Sequence, residues 1–484
     1  MYNPQNQYRC TIIRGKSQKE MDDLLPAYAK VIDGICPCPI EEFPQKFNME
    51  LQKYLPESQR IKKTLDNHRT EIAGKLFGMY YFAKNGIVYE SQRTQKYLED
   101  SDQPAFFKDV CYKMQFPNGM DSVQTLQDRL CHRINIRPNS YVIKLLEIAA
   151  KANEQISVKD IGYYVLNSLD VLQGNISPYE VLDSIIRDHK NGIQREIIAF
   201  DNKGRKKASS YTMQHIREQL NYLELANLIR ISADKILILN TREKKTIEIF
   251  SNKYNEPPAF DVYSFDLSQI EGRKNFEFQW VQYFSVLSEH ASDFDTPVEA
   301  LLPVERNEPA EDKGKQLSKM NLTKFGDIGE EFVYEYEKKR VAAYNARLVN
   351  KVIPFGKIRG VGFDVQSIVA ERGDKAEFCK YIEVKSTKRV TSPNLNDELW
   401  IDTLNITRNE WMAAQQHGEY YSIYRLYFTK SGVMMFMLNN IAKKKEDNII
   451  TVTPMTYRLD FSCESIDNAI KLEESIVNER NIDV

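Results

Sequence analysis

The sequence predicts an α+β chain of several domains. A mainly helical N-terminal part carries a winged-helix order, and a C-terminal α/β domain follows, built on a mixed central sheet. Three observations predict this. Residues 363–370 and 378–384 alternate and are rich in β-branched side chains, as strands of a hairpin are. Residues 141–239 run three helical patterns and then two short strands. Most of the first 140 residues repeat apolar side chains at helical spacing. With 484 residues the chain is long enough for two to four domains. The predicted boundaries are 1–140, helical; 141–302, the winged-helix region; 303–320, a charged, Pro-containing linker; and 321–484, the α/β domain.

Composition narrows the function classes. Hydrophobic residues make up 42%, enough for ordinary cores, and the net charge is −2. No global basic field points to nucleic acid, so any such contact must come from local patches. The N-terminus lacks a charged segment followed by an apolar one, and no apolar run reaches the length of a membrane span. The expectation is a cytoplasmic protein with no membrane partner. Seven cysteines are scattered. Cys36 and Cys38 form a CPC unit without a second pair at zinc-finger spacing, so free thiols are the leading reading and a zinc site the lesser one.

In chain order, residues 20–35 have helical apolar spacing, interrupted by Pro26. Arg14, Lys16 and Lys19 are surface charges or a phosphate-contacting arm. Residues 70–83 read as a helix with small residues, and 106–116 as an aromatic core stripe. Ser157 N-caps a helix to Leu166, and Ser177-Pro178-Tyr179-Glu180 opens another. A basic loop follows: Lys203, Arg205, Lys206 and Lys207. A helix then runs to about Leu228, with strands at 228–231 and 235–239 and a further strand at 246–250. The helix after the basic loop is the expected DNA reader, because helix-turn-helix proteins place their last helix in the major groove. Its exposed positions would be Gln214, Arg217 and Asn221. The alternative is a purely structural helical domain.

The C-terminal part opens with a helix over 328–349 and a strand over 351–355. The hairpin follows, then a helix N-capped by Thr407 with Glu410 at its third position. Strands are expected at 422–429, 433–438 and 450–461, and a closing helix at 465–481. Glu383 and Lys385 are two apart, so both project from one strand face. Asp364 can lie across from them if the strands pair. Two carboxylates and a lysine at one spot make a hard-cation site beside an ammonium.

Asp364, a gap of about twenty residues, then Glu383-Val384-Lys385 resembles the PD-(D/E)XK nuclease superfamily. Gly326-Asp327-Ile328-Gly329-Glu330 matches the GxxGE helix motif seen in many members. Together the motifs resemble the nuclease-like domain at the C-terminus of the plant protein NO VEIN, over roughly 322–461. The resemblance implies a restriction-endonuclease-like fold. It implies that Asp364, Glu383 and the Val384 carbonyl bind Mg²⁺, that Glu330 adds or orients a ligand, and that Lys385 positions the attacking water. Gln415 would support Lys385 from the following helix. Ser386 and Thr387 would bond a phosphate or cap the strand end. Cleavage would leave 5′-phosphate and 3′-hydroxyl ends. Combined with an upstream reader, this points to a restriction endonuclease acting on double-stranded DNA. A homodimer on DNA and a cognate DNA methyltransferase encoded nearby are the implied partners. A low-specificity repair or anti-phage nuclease, a modification-dependent nuclease, and a DNA-binding regulator with an inactive nuclease fold are the alternatives.

Overall fold

The structure is a computed structural model that describes residues 2–10, 18–197, 199–200, 206–207, 209–301, 325–356, 361–370, 377–397, 399–453 and 458–472. The linker expected at 303–320 lies outside them, as do Arg14, Lys16, Lys203 and Arg205. The chain is mixed α/β and divides into two compact units, Met1–Leu98 with Asp102–Ala300, and Glu99–Ser101 with Leu301–Val484. No described helix is long and apolar enough to cross a membrane.

One continuous core fills the first unit, with side chains from Cys10 to Phe294, and so draws on both the 1–140 and the 141–302 stretches. Helix α1 (Gln18–Ile35) continues through Pro26. Helix α2 (Gln103–Lys113) is buried along its whole length and capped by Asp102, which accepts the Ala105 amide. Then come α3 (Pro138–Lys151), the short strand β1 (Ile156–Ser157) and α4 (Pro178–Lys190). Ser157 and Ser177 close capping boxes with Asp160 and Glu180, as their spacing predicts. Helix α5 (Ser209–Leu225) leads into β2 (Ile229–Ile231) and β3 (Ile236–Leu239). The three strands form one sheet in the order β1-β3-β2.

Two expectations fail in this unit. Residues 246–250 form not a strand but part of a helix, Lys244–Asn252. Their β-branched residues suggested a strand, yet Thr246, Ile247, Phe250 and Ser251 are buried at helical spacing. The helix expected at 70–83 ends at Leu76, and Tyr80–Phe82 pairs with Ile87–Glu90 as a hairpin. Gly78, at φ +57°, allows that sharp exit.

The second unit opens with α6 (Phe325–Asn345) and the two-residue strand β4 (Ile353–Pro354). The hairpin strands are β5 (Val365–Ile368) and β6 (Cys379–Lys388). After β7 (Ile401–Asn405) come α7 (Arg408–His417), β8 (Tyr421–Thr429) and β9 (Gly432–Asn439). Strands β10 (Thr451–Thr453), β11 (Arg458–Ser462) and β12 (Asn468–Leu472) end the described chain. The main sheet has six strands in the order β12-β9-β8-β6-β5-β4, with β6 and β8 parallel and the other neighbours antiparallel. It is the mixed sheet that the sequence predicts. A second sheet, β7-β11-β10, covers part of it, and Trp400, Trp411 and Tyr427 are buried in their shared core.

Here too the sequence misleads locally. The stretch 450–461 is two strands of the second sheet, and β7 carries no strong signal of its own. The closing helix expected at 465–481 is contradicted by β12, which pairs with β9 at the sheet edge; residues beyond 472 lie outside the description. The 465–481 pattern suits either state, and only the open edge of β9 selects the strand.

Candidate active site

Strands β5 and β6 pair from Val365↔Ile382 to Ile368↔Cys379 and then part. Strand β6 runs on to Lys388 alongside β8. Asp364 and Glu383 sit at the point of parting. The Asp364 amide donates to the Ile382 carbonyl at 2.9 Å, and its Oδ2 accepts the Val384 amide at 2.8 Å. The side chain thus extends the ladder by one bond and is held facing β6. Glu383, only 4% exposed, meets Lys385 on the same face, with Lys385 Nζ 2.7 Å from Glu383 Oε1. Lys385 Nζ also lies 2.9 Å from Glu410 Oε2 on α7.

The electrostatics follow from burial. Burial pushes the Asp364 carboxyl above its ordinary value against the pull of the Val384 amide and Lys385. Burial pushes Glu383 well up too, with Lys385 opposing and Asp364 and Glu410 reinforcing. Burial works against the Lys385 ammonium, yet Glu383 and Glu410 outweigh it and its pKa rises. A neutral Glu383 and a Lys385 held charged by Glu383 pull in opposite directions. The direction that stands on charge balance is an excess of negative charge: three carboxylates, Asp364, Glu383 and Glu410, lie around one ammonium. Such an excess favours the protonated form of a carboxyl.

Close backbone approaches set this geometry. A Cβ on Gly329 would stand 1.9 Å from Ser386 Oγ, so α6 meets β6 at a glycine. Glu330 lies against Gly356: a Cβ there would stand 1.8 Å from Glu330 Oε2. Gly362 has φ +82°, a Cβ on it would meet the Asn409 carbonyl at 2.6 Å, and its own carbonyl accepts the Tyr421 hydroxyl at 2.9 Å. Gly362→Ala is therefore expected to cost about 1–2 kcal/mol from backbone strain alone. Because Asp364 is two residues away, the strain should reach the carboxylate cluster and lower the melting temperature. A variant that melts like the wild type removes this constraint.

Not every expected residue takes its place. Gln415 is exposed on α7, and Lys385 is held by Glu410 instead. Ser386 and Thr387 belong to β6 and do not cap its end. Arg425, opposite Lys385 in the β6–β8 register, was not anticipated. It is buried, donates to Asp402 Oδ2 at 2.8 Å and reaches the Ser386 carbonyl at 3.3 Å. A charged residue inside the apolar run of β8 was the available signal. Glu410 had a signal as well, but its spacing from Thr407 explained it fully as a helix start. Among the described residues no group of three or more His, Cys, Asp or Glu is gathered as a metal cage.

In the first unit, Ile216, Leu220 and Leu223 of α5 are buried, while Gln214 and Arg217 are exposed. Gln214 Nε2 donates to Glu218 Oε1 at 2.8 Å. Asn221 is buried, at 9% exposure, on a helix that packs against α1 and α2; it does not present itself as a base reader. Lys206–Lys207 form a two-residue strand paired with Ala199–Phe200.

No curated protein matches the chain. Residues 329–437, which hold the carboxylates and Lys385, match the family model described as Protein NO VEIN, C-terminal. A solved structure, described as the crystal structure of pyrene- and phenanthrene-modified DNA in complex with the BpuJ1 endonuclease binding domain, is 50% identical. It covers 59% of this chain and 100% of its own, with a TM-score of 0.56. Residues 2–281, more than half of the chain, match the family model described as Restriction endonuclease BpuJI - N terminal, and the chain belongs to that family.

Proposed function

We propose that the chain is a magnesium-dependent restriction endonuclease of PD-(D/E)XK type that reads double-stranded DNA with its first unit and cuts it with its second. The observation that carries the proposal is the meeting of Asp364, Glu383 and Lys385 where β5 and β6 part. Glu383 has Lys385 as its counter-cation, but Asp364 and Glu410 crowd the same ammonium, and a passive sheet would not retain that buried excess of negative charge. That same feature speaks against a DNA-binding regulator with an inactive fold.

Magnesium needs only one or two protein carboxylates and keeps its waters. Asp364 and Glu383 fit that demand, and the negative excess around Lys385 fits a divalent charge. Bound there, the ion would stabilise charge on the scissile phosphate. The chain's own groups do the rest. Asp364 is aimed by the Val384 amide. Lys385 Nζ donates to the attacking water or to a phosphate oxygen. The water oxygen bonds to phosphorus as the bond to the 3′-oxygen breaks, the water's proton passes to solvent, and the 3′-oxygen takes a proton from solvent to leave as the hydroxyl. Glu330 orients this end from α6. Double-strand cleavage needs two such sites, which a homodimer on DNA supplies, and a cognate methyltransferase would protect host DNA.

In the first unit, helices α3, α4 and α5 followed by the β2–β3 hairpin, with β1 from between α3 and α4 on the edge of β3, support a winged helix, and the 50% identical relative was solved with DNA. Gln214 and Arg217 are one helical turn apart and exposed, so they are the readers of choice on α5. Lys203, Arg205, Lys206 and Lys207 would hold phosphates. Arg217→Ala is expected to lose about 1–3 kcal/mol of discrimination between cognate and scrambled duplexes, while cleavage of saturating substrate changes less. Competition binding decides: an unchanged affinity ratio moves base reading off α5.

The proposal as a whole is tested by incubating modified and unmodified plasmid with and without Mg²⁺ and mapping the ends. Discrete fragments with 5′-phosphate ends, only with the metal, are expected. No cutting of either plasmid at any Mg²⁺ concentration sinks it.

A further inference from the structure

Lys385 has two carboxylate partners, and one of them lies outside the hairpin. Glu410 occupies the third position of α7 in a capping box: its amide donates to Thr407 Oγ1 at 3.3 Å, and its Oε2 accepts the Thr407 amide at 2.9 Å. The same Oε2 stands 2.9 Å from Lys385 Nζ, and the Glu410 side chain is only 13% exposed. One oxygen thus fastens both the start of α7 and the ammonium.

We propose that Glu410 is a positioning residue that holds Lys385 Nζ in place while Glu383 turns to a cation. This rests on the nuclease reading. An ammonium has three hydrogens to donate and no acceptor of its own. With Glu383 as its only carboxylate, Lys385 would compete with a divalent ion for that group. Glu410 removes the competition, and its rigid seat at the helix start makes the grip independent of the metal.

Glutamine closes a capping box as glutamate does. Glu410→Gln therefore keeps the helix start and removes only the negative charge that faces Lys385. Thr407→Ala does the reverse. In the full-length protein, Glu410→Gln is expected to lower kcat about 10–100-fold, the size of a lost charge-assisted hydrogen bond, with the KM for DNA little changed. Thr407→Ala should lower the melting temperature and leave kcat nearly intact. The ammonium ¹H–¹⁵N signal of Lys385 in the magnesium-free protein gives a second readout. It should persist in the wild type and Thr407→Ala, and broaden away in Glu410→Gln. Equal kcat losses in the two variants overturn the assignment, as does a wild-type kcat and signal in Glu410→Gln. If the wild type cuts no DNA, the nuclease reading fails separately and the signal alone decides: its loss in Glu410→Gln upholds the grip, its persistence overturns it.

Discussion

Asp364→Asn and Glu383→Gln are each expected to reduce magnesium-dependent cleavage by about 10³-fold or more, since a metal ion supplies several kcal/mol of charge stabilisation. Both changes keep side-chain shape and remove one negative charge. In Asp364→Asn the amide can still turn its oxygen to the Val384 N–H, so the ladder bond that aims the side chain survives. In Glu383→Gln, Lys385 keeps Glu410 as its ionic partner, so the ammonium is not stranded. Folding should therefore be spared, and relief of the excess negative charge should raise thermal stability slightly in the absence of metal. DNA affinity, measured at fixed salt because phosphate contacts are salt-dependent, should stay within about twofold of the wild type. Near-normal cutting by both variants removes the assignment of the site.

Lys108→Met should destabilise the first unit by about 3–5 kcal/mol. Lys108 Nζ is fully buried in α2 and donates to Glu243 Oε2 at 2.8 Å, Thr296 Oγ1 at 2.9 Å and the Phe294 carbonyl at 3.2 Å. Asn227 supports the other Glu243 oxygen at 2.9 Å. Burial already pushes the Glu243 carboxyl above its ordinary value despite the neighbouring ammonium. Without Lys108 that carboxyl rises further. A carboxyl whose folded pKa lies above its unfolded one binds more protons in the folded state, so stability falls as pH climbs from the ordinary carboxylate value upward. The deficit of Lys108→Met should accordingly be larger at pH 8 than at pH 5. Adding Glu243→Gln should recover part of it and flatten the pH dependence. Chemical denaturation followed by amide exchange in residues 103–113 reads the effect. A loss of less than about 1 kcal/mol at pH 8 places the ion pair among those that break even.

Much of the candidate site was legible in the sequence because it is local. A strand's two-residue period puts Glu383 and Lys385 on one face wherever the strand goes, and the hairpin spacing brings Asp364 across from them. The capping boxes at Ser157, Ser177 and Thr407 are legible for the same reason: each needs only four residues. The order of helices and then two short strands also follows from local periodicity, and β2 and β3 do pair as a hairpin.

What the tertiary structure decided is everything that depends on who packs against whom. Helical spacing showed α5 an inner and an outer face, but Asn221 is buried as well on a helix that packs against α1 and α2, and no periodicity reports a neighbour that comes from elsewhere in the chain. Residues 246–250 and β12 turned on the same point. Their apolar patterns suit either state, and the available partner selects: a core for the helix Lys244–Asn252, the open edge of β9 for the strand. The Lys385 partner is the sharpest case. Glu410 read as a helix start because its local role is complete in four residues. Its second role exists only once the fold brings α7 beside β6, where a single carboxylate serves both.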